Sequence, residues 1–117
     1  MTALIIVAIA ALLQAAGQPV PRAAAGNADN GKRLYMKHTC YFCHGTAGQG
    51  GVAGARVAAV ARNAQGFIRY VRQPSGQMPA YGTKILTDEE LTDIFAYVRS
   101  LPPAKPVADI PLLTQIK

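Results

Sequence analysis

The stretch Cys40-Tyr41-Phe42-Cys43-His44 decides how the rest of the chain is interpreted. Two cysteines separated by two residues, with a histidine directly after the second, form the pattern for covalent attachment of haem c. Each thiol adds to one vinyl group on the porphyrin edge, and the adjacent histidine can then reach the iron from one face. Cys40 and Cys43 are the only cysteines in the chain. The motif therefore predicts one covalently bound haem c, with an iron ligand at His44.

Three other uses of this motif compete with haem attachment. A disulfide between Cys40 and Cys43 would close a very small loop and add little stability. A thioredoxin-like redox pair would need a βαβ context, whereas the flanking sequence indicates a helix and a glycine-rich loop. A structural zinc site usually takes four protein ligands, and beyond the motif only His38 and the methionines could supply one. None of these alternatives uses the whole pattern.

The first 25 residues resemble a secretory signal peptide. Residues 2–17 are almost continuously apolar, and Ala23-Ala24-Ala25 offers small residues for cleavage, although no Lys or Arg precedes the apolar run. The run is shorter than the roughly 18 to 20 residues that span a bilayer. We expect a cleaved export signal and a periplasmic protein. An uncleaved membrane anchor is the alternative, and only then would the protein contact the membrane.

The remaining chain is expected to form one small domain over residues 26–103 and an extended, proline-containing tail over residues 104–117. Removal of 25 of the 117 residues leaves 92, which gives a thin hydrophobic core. A covalently held haem would add apolar surface to the centre of that core. The tail could pack on its own domain, bind a partner or be disordered.

Capping residues predict where the helices of the domain begin and end. Asn27 or Asp29 can cap a helix through residues 31–38, and Asn63 can cap a second that ends before Pro74. A capping box starts at Thr87, since a glutamate follows three residues later, and this last helix should end at Pro102-Pro103.

Two glycine-containing regions suggest close packing. Gly31 lies inside the first helix, where glycine costs about 1 kcal/mol relative to alanine, so another element is expected to approach it closely. Residues 45–54 contain five glycines and favour a loop, either against the haem on the histidine side or as a flexible linker.

A second iron ligand is predicted at Met78. Methionine is usually core filler, but this one lies on an irregular segment between Gly76 and Pro79. Methionine is a common axial ligand in cytochromes c. Met36 is the rival candidate, although it lies only one helical turn before Cys40.

The chain is basic, with a formal net charge of +6. A basic surface favours redox partner proteins with acidic docking surfaces, while simple solubility is the plainer explanation. Nucleic acid is not expected as a partner, because the basic residues are scattered singly and no aromatic-basic platform is visible. The candidates for a positive surface around an exposed haem edge are Lys32, Lys37, Arg56, Arg69, Arg72 and Lys84.

Taken together, these residues resemble the small monohaem class I cytochromes c of bacteria. The resemblance is carried by residues 31–35, 40–45, 77–81, 86–91 and 96–98. It implies an all-α, cytochrome c-like fold of about three to four helices around the haem. It also implies thioether bonds at Cys40 and Cys43, His44 as proximal ligand and Met78 as distal ligand.

The resemblance has two further implications, one for helix packing and one for the hydrogen bond of the proximal histidine. The first and last helices should cross at a close contact, where Gly31 and Tyr35 meet Ile94, Phe95 or Tyr97. Many relatives carry a proline whose carbonyl accepts a hydrogen bond from the proximal histidine, whereas this chain has Ala55 there. The alanine carbonyl can still accept that bond, and Arg56 next to it is a candidate partner for a haem propionate.

The functional hypothesis is a non-enzymatic electron carrier between a dehydrogenase or other donor and a respiratory acceptor. One alternative is a haem protein that reacts with gases or peroxide, in which Met78 leaves the iron or never binds it. Another is a non-catalytic electron-transfer subunit bound tightly in a larger dehydrogenase or oxidase complex through the leader or the tail.

Overall fold

A computed structural model describes residues 25–116, and these residues fold as helices without any strand. The α-helices are α1 (Ala28–Lys37), α2 (Cys40–His44), α3 (Ala64–Arg72), α4 (Asp88–Ser100) and α5 (Pro111–Thr114), with a 3₁₀-helix at Val107–Asp109 before α5. The predicted all-α class is confirmed. The predicted signal peptide lies, apart from Ala25, outside the described residues. Within residues 25–116, no helix is both long and apolar enough to cross a membrane.

The helix starts follow the capping residues. The Asn27 side chain accepts hydrogen bonds from the backbone N–H groups of Asp29 and Asn30, so Asn27 rather than Asp29 is the cap of α1. Asn63 caps α3 by accepting from Gly66. At α4 both hydrogen bonds of the capping box between Thr87 and Glu90 are present. Each cap satisfies backbone donors that have no partner inside the helix.

Helices α1 and α4 cross at the close contact that the resemblance implies. A side chain at Gly31 would collide with the backbone carbonyl of Asp93, so only glycine allows this approach. One turn along the crossing, the rings of Tyr35 and Tyr97 lie edge to face with centroids 5.4 Å apart. Phe95 differs from the expectation, because it faces α3 and packs against Phe67 at 5.5 Å.

Asp93 adds a polar contact to the same crossing. Its carboxylate accepts hydrogen bonds from the backbone N–H of Asn27 at 2.6 Å and from the side-chain amide of Asn30 at 2.7 Å. A carboxylate at the start of a helix also interacts favourably with the helix dipole. Helix α4 therefore contacts both the backbone and the N-terminus of α1.

The core is formed by α1, α3 and α4, together with Leu86 in the loop before α4. Its buried members are Leu34, Tyr35, Ile68, Val71, Leu86, Leu91, Ile94, Tyr97 and Val98. No polar or charged residue is buried within the part of the chain described. The core is therefore apolar apart from the two tyrosine hydroxyl groups.

The tail differs from the extended segment expected over residues 104–117. It contains the 3₁₀-helix and α5, because Pro111 stands at the first turn of α5, where its fixed φ favours a helix start. Among the described elements these two contact only each other. The side chains of Leu112 and Ile116 are largely exposed.

The substitution Gly31→Ala should destabilise the fold although alanine is the better helix former by about 1 kcal/mol. The added methyl group would collide with the Asp93 carbonyl and push α1 away from α4. We expect the free energy of unfolding to fall by about 2 kcal/mol, in the range of overpacked cores. Guanidinium titration followed by far-UV circular dichroism measures it.

Gly82→Ala is the matched control, because a methyl group at Gly82 would meet no heavy atom within 4 Å. It should change stability by no more than about 0.5 kcal/mol. Equal stability of Gly31→Ala and the wild type would contradict the importance of the crossing.

Candidate haem site

The attachment motif lies on α2, a short helix joined to α1 by a tight turn. Thr39 in this turn has a left-handed backbone with a φ of 57°. Both thiols are half-buried and free, and the intervening Phe42 is 79 % exposed. The turn thus places Cys40 toward the core and leaves the middle of the motif at the surface.

The chemistry of the two thiols does not favour the alternatives to haem attachment. Burial raises the pKa of the Cys40 thiol to about 11, whereas a reactive redox cysteine needs a lowered pKa. No βαβ unit surrounds the motif in residues 25–116. In the same residues, no group of three or more His, Cys, Asp or Glu side chains is placed to hold a metal ion. Cys40, Cys43 and His44 therefore do not converge as zinc ligands would.

The imidazole of His44 is oriented by the loop that follows it. His44 Nδ1 lies 2.6 Å from the carbonyl oxygen of Ala55. Because a carbonyl can only accept, Nδ1 carries a proton in this contact, and Nε2 is the ring nitrogen left to bind a metal. Such a hydrogen bond fixes both the tautomer and the orientation of a metal-binding histidine. The carbonyl expected from the resemblance is thus present at Ala55, without the proline.

The loop after His44 is ordered by its own hydrogen bonds. Gly50 donates its N–H to the carbonyl of His44 at 2.7 Å, and Gly51 donates to Gly54 at 2.9 Å. A side chain at Gly54 would lie only 2.7 Å from the carbonyl oxygen of Cys43. Glycine is therefore needed where the loop returns against the motif, which excludes the flexible-linker interpretation.

Two tyrosines connect the helix crossing to this loop. The Tyr35 hydroxyl donates to the carbonyl of Gly45 at 2.8 Å, and the Tyr97 hydroxyl donates to the carbonyl of Thr46 at 3.0 Å. Burial raises the pKa of Tyr35, so its hydroxyl stays protonated and remains a donor. The sequence indicated both residues as packing partners, but it gave no sign of their hydrogen bonds.

Met78 lies on the non-helical segment between α3 and α4 and is half-buried against the core. Met36, the rival candidate, lies on α1 with 38 % of its surface exposed. Of the two, only Met78 combines partial burial with a loop position.

The segment that carries Met78 is held at Tyr81, a residue without a predicted role at the site. The backbone N–H of Tyr81 donates to Val71 at 3.2 Å, and its carbonyl accepts from Arg72 Nη1 at 2.7 Å. Its hydroxyl donates to the carbonyl of His38 at 3.2 Å. Burial raises the pKa of this hydroxyl as well.

Two arginines proposed for the exposed positive surface have other contacts. Arg72 forms an ion pair with Asp88 at 2.5 Å while it binds Tyr81. Arg56 donates to the carbonyl of Pro102 at 2.7 Å, which ties the loop after His44 to the end of α4. The structure thus gives Arg56 a backbone partner, and its proposed contact with a haem propionate stays a prediction.

The residues present fit a covalently attached haem. Two free thiols stand three residues apart on one short helix, and the next side chain is an imidazole whose Nδ1 is already bonded. Cys40, Tyr41, Val57, Phe67, Met78 and Tyr81 are among the partly buried side chains around the core. This donor set matches two thioether bonds and nitrogen ligation in an apolar surrounding.

Comparison with known proteins agrees with this assignment. The family model described as cytochrome c oxidase, cbb3-type, subunit III matches residues 26–98, which is most of the domain. No curated protein and no solved structure was found to match the chain. The match begins just before α1 and ends within the last two turns of α4, so it includes the attachment motif, the loop with Ala55 and the Met78 segment. The chain therefore belongs to the cbb3-type cytochrome c oxidase subunit III family and is a small c-type cytochrome.

Proposed function

We propose that this protein is a monohaem electron carrier whose iron is bound by His44 and Met78, and that it transfers electrons from a dehydrogenase or other donor to a respiratory acceptor. The observation that carries the proposal is the 2.6 Å contact between His44 Nδ1 and the Ala55 carbonyl. It orients the imidazole that directly follows the two attachment cysteines, and it leaves Nε2 as the nitrogen available for iron.

The residues of the chain would support electron transfer by holding the site fixed. Haem c, when bound, supplies a one-electron change between ferric and ferrous iron. Methionine ligation raises the reduction potential. The carbonyl of Ala55 keeps the imidazole in one orientation, and the hydroxyls of Tyr35 and Tyr97 hold the adjoining loop. With two axial ligands from the protein, no substrate needs to bind the metal, which is consistent with a non-enzymatic role.

The distribution of charged residues supports docking to acidic surfaces of partner proteins. Five of the six acidic residues fall in or near the crossing of α1 with the first half of α4: Asp29, Asp88, Glu89, Glu90 and Asp93. In residues 25–116 the only ion pair joins Arg72 to Asp88, so the other basic groups are not neutralised by ion pairs. Arg62 lies 4.8 Å over the Tyr70 ring and, together with Arg69, lines a shallow depression. Such a distribution attracts acidic proteins at long range.

A second candidate function is that of a dedicated subunit of a larger oxidase or dehydrogenase. The family to which the chain belongs is described as an oxidase subunit. The tail exposes Leu112 and Ile116, and its helices contact no other element of the described chain. An apolar tail of this kind suits attachment to a partner. For either function we propose export to the periplasm, where covalent attachment of haem would take place.

The substitution Met78→Ala tests the distal ligand. In the oxidised wild-type protein, iron–sulfur ligation gives a weak absorption band near the red end of the visible spectrum, and we expect this band to disappear in the variant. The reduction potential should fall by on the order of 0.1 V, a part of the ~0.8 V range that axial ligands span. Absorption spectroscopy and potentiometric titration measure both effects.

Met36→Ala serves as its control, because Met36 lies on the outer side of α1 and should leave the band and the potential unchanged. Loss of the band in Met36→Ala rather than in Met78→Ala would identify Met36 as the ligand and contradict the proposal.

Deletion of residues 104–117 tests the subunit hypothesis. Since the tail helices contact only each other among the described elements, the free energy of unfolding should change by no more than about 0.5 kcal/mol. If the tail binds a partner, co-purification with that partner from the native host should be lost. A full-length variant with serine at Leu112, Leu113 and Ile116 controls for tail length. Undiminished co-purification of both variants would remove the tail from this role.

A further inference from the structure

Tyr81 connects three parts of the domain through a single residue. Its backbone N–H binds the carbonyl of Val71 near the end of α3, and its backbone carbonyl accepts from Arg72. Its side chain reaches across 43 positions of the chain to donate to the carbonyl of His38 at 3.2 Å. These contacts restrict the position of the segment on which Met78 precedes Tyr81 by three residues.

The contact with His38 lies directly beside the attachment motif. His38 is the C-cap of α1, two residues before Cys40. The same carbonyl oxygen lies 4.0 Å from Cys40 Sγ. The rings of His38 and Tyr81 are perpendicular, with centroids 6.5 Å apart. The hydroxyl of Tyr81 thus joins the segment of the distal ligand to the segment that attaches the haem.

The backbone of Tyr81 is held by an arginine that is itself fixed. Arg72 donates through Nη1 to the Tyr81 carbonyl at 2.7 Å and through Nη2 to Asp88 at 2.5 Å. Asp88 is the first residue of α4, so this contact continues to the N-terminus of the last helix. With the backbone of Tyr81 fixed at α3 and α4, its hydroxyl can set the distance between the Met78 segment and His38.

We infer that Tyr81 is a positioning residue for Met78, and that its hydrogen bond to the His38 carbonyl keeps the Met78 segment closed against the haem-attachment segment. This inference rests on the proposed ligation by His44 and Met78. Without the hydroxyl, the segment would open more often, and an external ligand would reach the haem iron more easily.

Imidazole titration of the oxidised holoprotein tests this role, because imidazole can bind the iron only when Met78 leaves. In Tyr81→Phe, imidazole should bind about fivefold more tightly than in the wild type, the factor expected for the loss of one hydrogen bond. Ser100→Ala is the control. It also removes a hydroxyl bonded to a backbone carbonyl, but both partners belong to α4 and not to the Met78 segment. The imidazole affinity of Ser100→Ala should stay within twofold of the wild-type value, the low end of such effects.

Amide hydrogen exchange gives a second readout that does not depend on the iron. The amide of Tyr81, bonded to Val71, should exchange several-fold faster in Tyr81→Phe. The amide of Ala59, bonded to Val98, reports the rest of the fold and should keep its rate.

The outcomes distinguish the positioning role of Tyr81 from the proposed ligation by Met78. Unchanged imidazole affinity in Tyr81→Phe, or an equal rise in Ser100→Ala, would overturn the positioning role while leaving the ligation intact. Absence of the iron–sulfur band in the wild-type protein would instead overturn the proposed ligation by Met78. A selective rise in Tyr81→Phe, with the band present in the wild type, supports both.

Discussion

The contact between Gly31 and the backbone of Asp93 is the constraint on which the rest of the structure depends. It brings two helix backbones closer than any side chain would allow, although the chain between them must also form a loop, a helix and the Met78 segment. The cost of a glycine within α1 is offset by burial of Leu34, Tyr35, Ile94 and Tyr97 on the facing sides of the two helices. The Asp93 carboxylate also fixes which part of α1 meets α4, because both of its hydrogen-bond donors lie at the beginning of α1.

The crossing of α1 and α4 is relevant to the candidate haem site because the hydroxyl groups of its two tyrosines form hydrogen bonds to the loop after His44. Tyr35 and Tyr97 lie in the apolar core, yet both hydroxyls reach the start of the loop that carries Ala55. The position of the His44 imidazole is therefore coupled to the packing of α1 against α4. Tyr81 forms comparable hydrogen bonds in the segment that carries Met78. It connects this segment to α3 and to the residues just before the attachment motif. Hydrogen bonds from three tyrosines thus tie both loops to the rest of the domain.

Much of the fold could be predicted because its signals are local. Asn27, Asn63 and the Thr87–Glu90 pair cap helices through residues two or three positions away, and a glycine inside a helix indicates close packing. The tyrosine hydrogen bonds could not be predicted, since their acceptors are backbone carbonyls 10, 43 and 51 positions distant and carry no sequence signature. The same holds for Arg56, whose partner is the carbonyl of Pro102. The short helices of the tail escaped prediction because they are too brief to show periodicity.

Every oxygen that receives a hydrogen bond from these tyrosines, or from His44, belongs to the main chain. A main-chain oxygen is present whichever side chain the residue carries, as the acceptor at Ala55 illustrates. Replacement of the Thr46 or Ala55 side chain would leave these acceptors in place, whereas replacement of a donor side chain would remove its hydrogen bond. A residue of this protein can therefore contribute to the site through its backbone alone, and its side chain then gives no sign of that role.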